Sequence, residues 1–300
     1  MTAVDQGDYA EIYRSPDGVG AVLDAYRRLL EDWPVELRRL RLPTREGDTA
    51  VLDCGPVDAP PVLALHGSMA NSAAWLPHLA GLTGQVRLLA VDLVGEPGLS
   101  APTRPALDSD APAGWLDDVL DGLRLDVTPL LGMSLGGWLA LDFATRRPER
   151  VSRLALLSPS GVGRRKVGVL AKAVLLRPLG DKGRRRLLRE VVGPTRFDGQ
   201  PWSAPFAELA MLTAEHFRPR TEPIPIFSDD RLARLRMPVL AVLGGRDVLL
   251  DSGQTGSRLR ASVPHAEVLT LPEVGHVLPD QSGPLLRFLS GPETRGRHAR

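Results

Sequence analysis

The sequence predicts an α/β fold: a mostly parallel, twisted sheet with helices on both faces and a helical lid inserted after the sixth strand. Three observations carry that prediction. Apolar runs at residues 62–65, 86–91, 127–131, 151–157, 237–243 and 266–271 alternate with stretches of helical spacing, the strand-then-helix rhythm of a wound sheet. Within it, Gly132-Met133-Ser134-Leu135-Gly136 lies between an apolar strand and a helical pattern, the context in which G-x-S-x-G has chemical meaning. Finally, residues 162–236 break the rhythm with helical segments and loops.

The 300 residues suit one large α/β domain or a domain with an insertion, and 43% hydrophobic content is enough for a sizeable core. A formal charge of +1 gives no overall case for nucleic acid. Cys54 is the sole cysteine, which excludes an intrachain disulfide and a thiolate metal cluster. Residues 1–13 lack the apolar core of a secretory signal, and residues 167–176 are too short, and contain Lys172, to span a bilayer. A cytoplasmic protein with no membrane partner is expected.

Taken in order, Val22, Leu23, Tyr26, Leu29 and Leu30 predict a helix over 18–33, ended by Pro34. Residues 37–42 and 49–54 predict two strands about the turn Glu46-Gly47-Asp48; Cys54 closes the second as a small half-buried side chain. The buried strand 62–65 runs into His66-Gly67-Ser68-Met69, where acyl-transfer enzymes of this architecture place an oxyanion donor. The backbone N–H of Ser68 would pair with that of Leu135, and His66 would brace the loop. A helix over 72–82 carries His78 as a solvated or partly buried residue. The strand 86–91 ends at Asp92, which precedes the serine and reads as structural. A proline-rich surface linker, 101–112, leads to a helix over 115–125.

At Ser134 the tight turn forces a strained backbone that exposes the hydroxyl, with a helix N-terminus behind it. A chance Gly-Ser-Gly turn is the competing reading. The strand 151–157 ends in Ser158-Pro159-Ser160-Gly161 without a carboxylate, so an acid must come later. The lid would roof a substrate pocket, for which Met69, Met133, Trp202 and Phe206 are candidates. Its clusters Arg164-Arg165-Lys166 and Arg184-Arg185-Arg186 read as a solvated surface, with an acidic carrier protein as the minority alternative. The strand 237–243 ends in Gly244-Gly245-Arg246-Asp247; Asp251 reads better as the N-cap of a helix over 253–259. His276 follows the last strand and precedes a helix over 281–289. The expected organisation is a core of residues 1–161 and 237–291, a lid of 162–236 and a disordered tail of 292–300.

The chain order Ser134, Asp247, His276 is that of a serine triad on this sheet. His276 would take the serine proton, and Asp247 would hold the imidazole in the correct tautomer. Of six histidines, only His276 sits past a strand end and downstream of an acid. The sequence thus resembles the α/β-hydrolase superfamily through Leu65-His66-Gly67-Ser68, Gly132-Met133-Ser134-Leu135-Gly136-Gly137, Leu243-Gly244-Gly245-Arg246-Asp247 and Val274-Gly275-His276-Val277. More closely it is similar to the bacterial carboxylesterase NP-like esterases, through Asp32-Trp33-Pro34-Val35, Pro43-Thr44-Arg45, Asp58-Ala59-Pro60-Pro61 and Trp115-Leu116-Asp117-Asp118-Val119. The resemblance covers most of residues 20–290 and is weakest in the lid. It implies the α/β-hydrolase fold and a serine hydrolase that cleaves a carboxylic ester through an acyl-enzyme. The triad acid of that group can be glutamate; Asp247 stands at the matching position. A small-molecule ester or polyketide-like substrate is expected. Thioesterase, lactonase, cyclase and acetate-eliminating lyase chemistry stay open on the same scaffold, and a non-catalytic receptor ranks last because all three residues are present. No cofactor is implied, and the absence of a spacing such as H-E-x-x-H argues against a metal enzyme.

Overall fold

A computed structural model describes residues 9, 11–193, 195, 197 and 199–291. The tail expected at 292–300 lies outside the described residues. Eight strands form one sheet: β1 (Leu37–Leu42), β2 (Thr49–Cys54), β3 (Pro61–Leu65), β4 (Arg87–Val91), β5 (Thr128–Met133), β6 (Val151–Leu157), β7 (Val239–Gly244) and β8 (Glu267–Leu271). Their order is β1-β2-β4-β3-β5-β6-β7-β8. The β1/β2 and β2/β4 pairs are antiparallel; from β4 onward every pair is parallel.

The apolar runs that signalled the central strands are continuous because both faces are covered. Side chains alternate between two cores. Leu130, Leu154, Leu156, Ala241 and Leu243 face one side, under helices α3 (Ala111–Gly122), α4 (Ser134–Arg146) and α9 (Ser252–Ser262). Leu131, Ala155, Leu157, Leu240 and Val242 face the other, under α1 (Pro16–Glu31), α2 (Leu76–Leu82) and α10 (Ser282–Leu289). After β6 come α5 (Gly168–Leu176), α6 (Gly180–Val192), α7 (Ser203–His216) and the short α8 (Asp229–Leu232). That is the helical interruption the sequence predicted between the sixth and seventh strands.

Several element boundaries differ from the expectation by a few residues, and two of the differences have a clear local reason. The α3 helix starts at Ala111, inside the expected linker, because Pro112 occupies its first turn, where no N–H is needed. The stretch 72–82 divides into a 3₁₀ turn, Ser72–Trp75, capped by the Asn71 side chain on Ala73 N–H (3.2 Å), and then α2, with Pro77 in its first turn.

Candidate active site

Ser134 occupies the turn from β5 into α4 with φ of +49°, the left-handed region that costs a non-glycine residue about 1–3 kcal/mol. Two glycines impose the turn. A Cβ on Gly132 would lie 2.5 Å from Gly136 O and 2.6 Å from Gly137 Cα. A Cβ on Gly136 would overlap the carbonyls of Leu65 and His66. Helix α4 therefore approaches both β5 and the end of β3, and the contact is closed by Gly136 N–H donating to His66 O (3.0 Å). A Cβ on Gly67 would stand 3.3 Å from Ser134 Cβ, so the loop after β3 borders the serine directly. Neither Ser68 N–H nor Leu135 N–H is taken by a side chain or a loop carbonyl among the described residues. Both lie on the two segments flanking Ser134, with Leu135 in the open first turn of α4.

Asp247 follows β7 and His276 follows β8, so both lie at the same carboxyl edge of the parallel strands as Ser134. The Asp247 carboxylate is buried. Its Oδ1 accepts the N–H groups of Leu249 (2.7 Å) and Leu250 (3.0 Å), which leaves Oδ2 facing His276 Nδ1 at 2.7 Å. An ionised carboxylate can only accept, so Nδ1 donates this bond, and in the neutral ring Nε2 then carries the lone pair. The lid's first segment fastens this loop: Lys166 N–H donates to Leu249 O (2.8 Å), and Lys166 Nζ to Asp247 O (2.7 Å). Asp251 caps α9 through Gln254 N–H (2.9 Å) and makes no hydrogen bond or ion pair with His276. Ser134 Oγ has no hydrogen-bond partner among the described residues, so the link between serine and imidazole is open in this conformation.

The remaining polar residues around the site are braces. His66 donates from Nδ1 to Gly67 O (2.8 Å) and accepts Leu93 N–H at Nε2 (3.0 Å); burial lowers its pKa and keeps it neutral. Asp92 accepts from Tyr26 Oη, Ser72 N–H, Ser72 Oγ and Leu99 N–H. The expectation of a solvated or partly buried His78 is corrected: its ring is buried, because Gln281 N–H donates to Nδ1 (2.9 Å) and Trp75 packs edge-on against it.

One residue beside the site escaped sequence reasoning. Glu96 is wholly enclosed and accepts Met69 N–H at Oε2 (2.7 Å), holding the residue after Ser68 at φ of +57°. Its Oε1 has no hydrogen-bond partner among the described residues, and Arg220 Nε stands 3.9 Å away. Burial pushes this carboxyl up to about 7, against the opposing pull of Met69 N–H, Arg220, Arg104 and the Ser68 hydroxyl. The only signal in the sequence was an acid inside a glycine- and proline-rich loop.

The four pocket candidates separate. Met69 is exposed on the loop after β3, and Met133 immediately precedes Ser134. Trp202 and Phe206 instead pack with Phe197, ring centroids 5.4–6.4 Å apart. Trp202 and Phe197 line a cavity of about 880 Å³ with Leu29, Leu76 and Pro279, whose walls include none of Ser134, Asp247 and His276.

Residues 62–288 match the Alpha/beta hydrolase family. The chain belongs to that family. Among the relatives of this α/β hydrolase is the "Uncharacterized carboxylesterase nap" of Bacillus subtilis (strain 168), 30% identical over 84% of this chain and 85% of the relative. The "Carboxylesterase YbfK" of the same organism is also 30% identical, over 85% and 86%. Solved structures of similar α/β hydrolases include carboxylesterase CesB (YbfK) from Bacillus subtilis, with a TM-score of 0.79, 28% identity and coverage of 92% of this chain and 99% of that one. Naproxen esterase (carboxylesterase NP) from Bacillus subtilis gives 0.77 and 29%, over 87% and 93%.

Proposed function

We propose that the protein is a serine carboxylesterase working through a covalent acyl-enzyme, with Ser134 as nucleophile, His276 as general base and Asp247 as its orienting acid. The observation that carries this reading is the 2.7 Å bond from His276 Nδ1 to a buried Asp247, at the same sheet edge as a strained, unpartnered Ser134 hydroxyl. The carboxylesterase relatives support the ester as substrate class.

In this mechanism Nε2 of His276 removes the Ser134 proton as Oγ attacks the ester carbonyl carbon. The charge passes to the carbonyl oxygen, which the N–H groups of Ser68 and Leu135 receive. Collapse expels the alcohol, which takes its proton from His276. Water, activated by the same nitrogen, then releases the acid and restores the serine. The serine–imidazole hydrogen bond that the first step needs forms as substrate excludes water.

The test is Ser134→Ala assayed on p-nitrophenyl acetate, with mass spectrometry of the trapped acyl adduct in the unsubstituted protein. Turnover should fall by about four to six orders of magnitude, with the fold retained. An adduct on any other residue, or ordinary turnover by the alanine variant, overturns the assignment. Product analysis checks the reaction class: hydrolysis leaves an alcohol, elimination an alkene.

A further inference from the structure

The lid carries a charge and an apolar surface that ester hydrolysis does not use. Residues 164–192 contain ten Lys and Arg against two Asp and Glu, in a chain whose total formal charge is +1. The rest of the chain therefore carries seven net negative charges. Both acids of this segment are engaged, Glu190 by Lys172 and Asp181 by Arg184. Arg177, Lys182, Arg185 and Arg186 are exposed, and none makes an ion pair among the described residues.

Helices α5 and α6 pack against each other as a hairpin, and its closed end is exposed to solvent. From Val174 through Lys182 each residue is exposed, or partly so at Leu176. Val174, Leu175 and Leu179 are 74%, 76% and 55% exposed there. Solvation accounts for the cations but not for aliphatic side chains pushed into water. A second copy would set the same uncompensated cations against these. An exposed apolar tip flanked by cations instead matches a flat anionic surface with an apolar interior: aliphatic groups enter it while the cations stay with the phosphates.

We propose that the α5–α6 hairpin is a peripheral docking element for anionic lipid surfaces. Val174, Leu175 and Leu179 insert at the acyl boundary, and Arg177, Lys182, Arg185 and Arg186 contact headgroup phosphates. The lack of a spanning segment in the sequence bears on crossing a bilayer and not on lying against one. No described helix is long and apolar enough to cross a bilayer, but lying on a surface makes no such demand. Attachment through both contributions is salt-sensitive, since the charges act in open water.

The test is co-sedimentation of the full-length protein with vesicles of phosphatidylcholine alone and with a quarter phosphatidylglycerol. Binding should appear with phosphatidylglycerol and weaken about tenfold or more in about 500 mM salt or on phosphatidylcholine alone. The pairs Leu175→Asp with Leu179→Asp, and Arg185→Gln with Arg186→Gln, should each lose about tenfold or more of that binding. Turnover of soluble p-nitrophenyl acetate should not change, which also reports that both variants fold. No binding to phosphatidylglycerol vesicles at low salt, or equal binding to both compositions, overturns the proposal. So does capture of a purified acyl carrier protein in place of vesicles, or a dimer in gel filtration that the leucine variants dissolve. The readout is binding, so it stands or falls separately from the esterase reading.

Discussion

Asp247 and Asp251 are four residues apart and do different work, which makes them a sharp pair for mutagenesis. Asp247→Asn keeps the shape but removes the acceptor that holds the proton on His276 Nδ1; kcat should drop by about four orders of magnitude. Asp251→Asn keeps a side-chain oxygen for Gln254 N–H, and asparagine caps as well as aspartate, so activity and stability should change by less than a few-fold. A larger loss in the second variant would reassign the acid. Glu96 adds a pH signature. Its folded pKa of about 7 lies above its ordinary 4.5. Below 4.5 the group is neutral in both states; between the two values the unfolded chain ionises first, so stability falls as pH rises through that window. The full effect is of order 3 kcal/mol. Glu96→Gln should flatten the change in urea midpoint between pH 5 and pH 8, while still offering an oxygen to Met69 N–H. An unaltered pH profile would remove Glu96 as its source. The sequence marked Ser134, Asp247 and His276 because each ends a recognisable strand. It could not mark Glu96, whose significance comes from Met69 and Arg220, 27 and 124 positions away in the chain.

At the level of the element, the β5–α4 turn depends on close approach more than on sequence preference. Gly136→Ala would put a methyl group into the Leu65 and His66 carbonyls, backbone atoms that cannot swing aside. The variant should be insoluble or lose several kcal/mol. Gly84→Ala meets nothing within 4 Å and should be neutral or slightly stabilising in the same denaturation experiment. Comparable behaviour of the two would mean that α4 can move off β3. Elements with a single strong period were legible in this way: β1, β2 and β6 fall at the residues the apolar pattern marks. What local pattern did not reveal is the wiring between them. The buried Asp53 on β2 is gripped by Arg38 of β1 (3.0 and 3.1 Å) and Arg87 of β4 (2.8 Å twice), a cluster that exists only once β2 lies between those strands. From chemistry alone, Trp202 and Phe206 are candidates for the substrate pocket. Their aromatic neighbour Phe197 and the helices α1 and α2 across the cavity become visible only in three dimensions.

Across the whole molecule, the lid is tied down at both of its ends, and by different means. Where it leaves the core, Arg165 bridges Leu250 and Lys166 bonds the Asp247 loop, so the lid's root and the proposed triad acid share a support. Where it returns, the chain's N-terminal segment crosses it: Tyr13 bridges Phe217, Arg14 N–H donates to His216 O (2.9 Å) and Arg218 N–H to Ile12 O (2.8 Å). The Tyr13 ring meets Phe217 edge-on at 5.5 Å, with Arg104 over the other ring at 5.2 Å. Beside these backbone bonds the Tyr13 side chain contributes through its ring alone, for its hydroxyl is buried and has no hydrogen-bond partner among the described residues. Two substitutions separate the contributions. Tyr13→Phe removes only the unsatisfied hydroxyl and should leave stability equal or higher. Tyr13→Ala removes the ring and should cost about 3–5 kcal/mol if the whole fold feels it. If the loss is local, trypsin should cut the Arg184-Arg185-Arg186 run faster while the denaturation midpoint of the core barely moves, because local opening needs less free energy than global unfolding. The fastening at Lys166 favours the local result: it leaves the root of the lid held when the return end is released. An alanine variant as stable and as trypsin-resistant as the phenylalanine one would show that Tyr13 does not hold the lid.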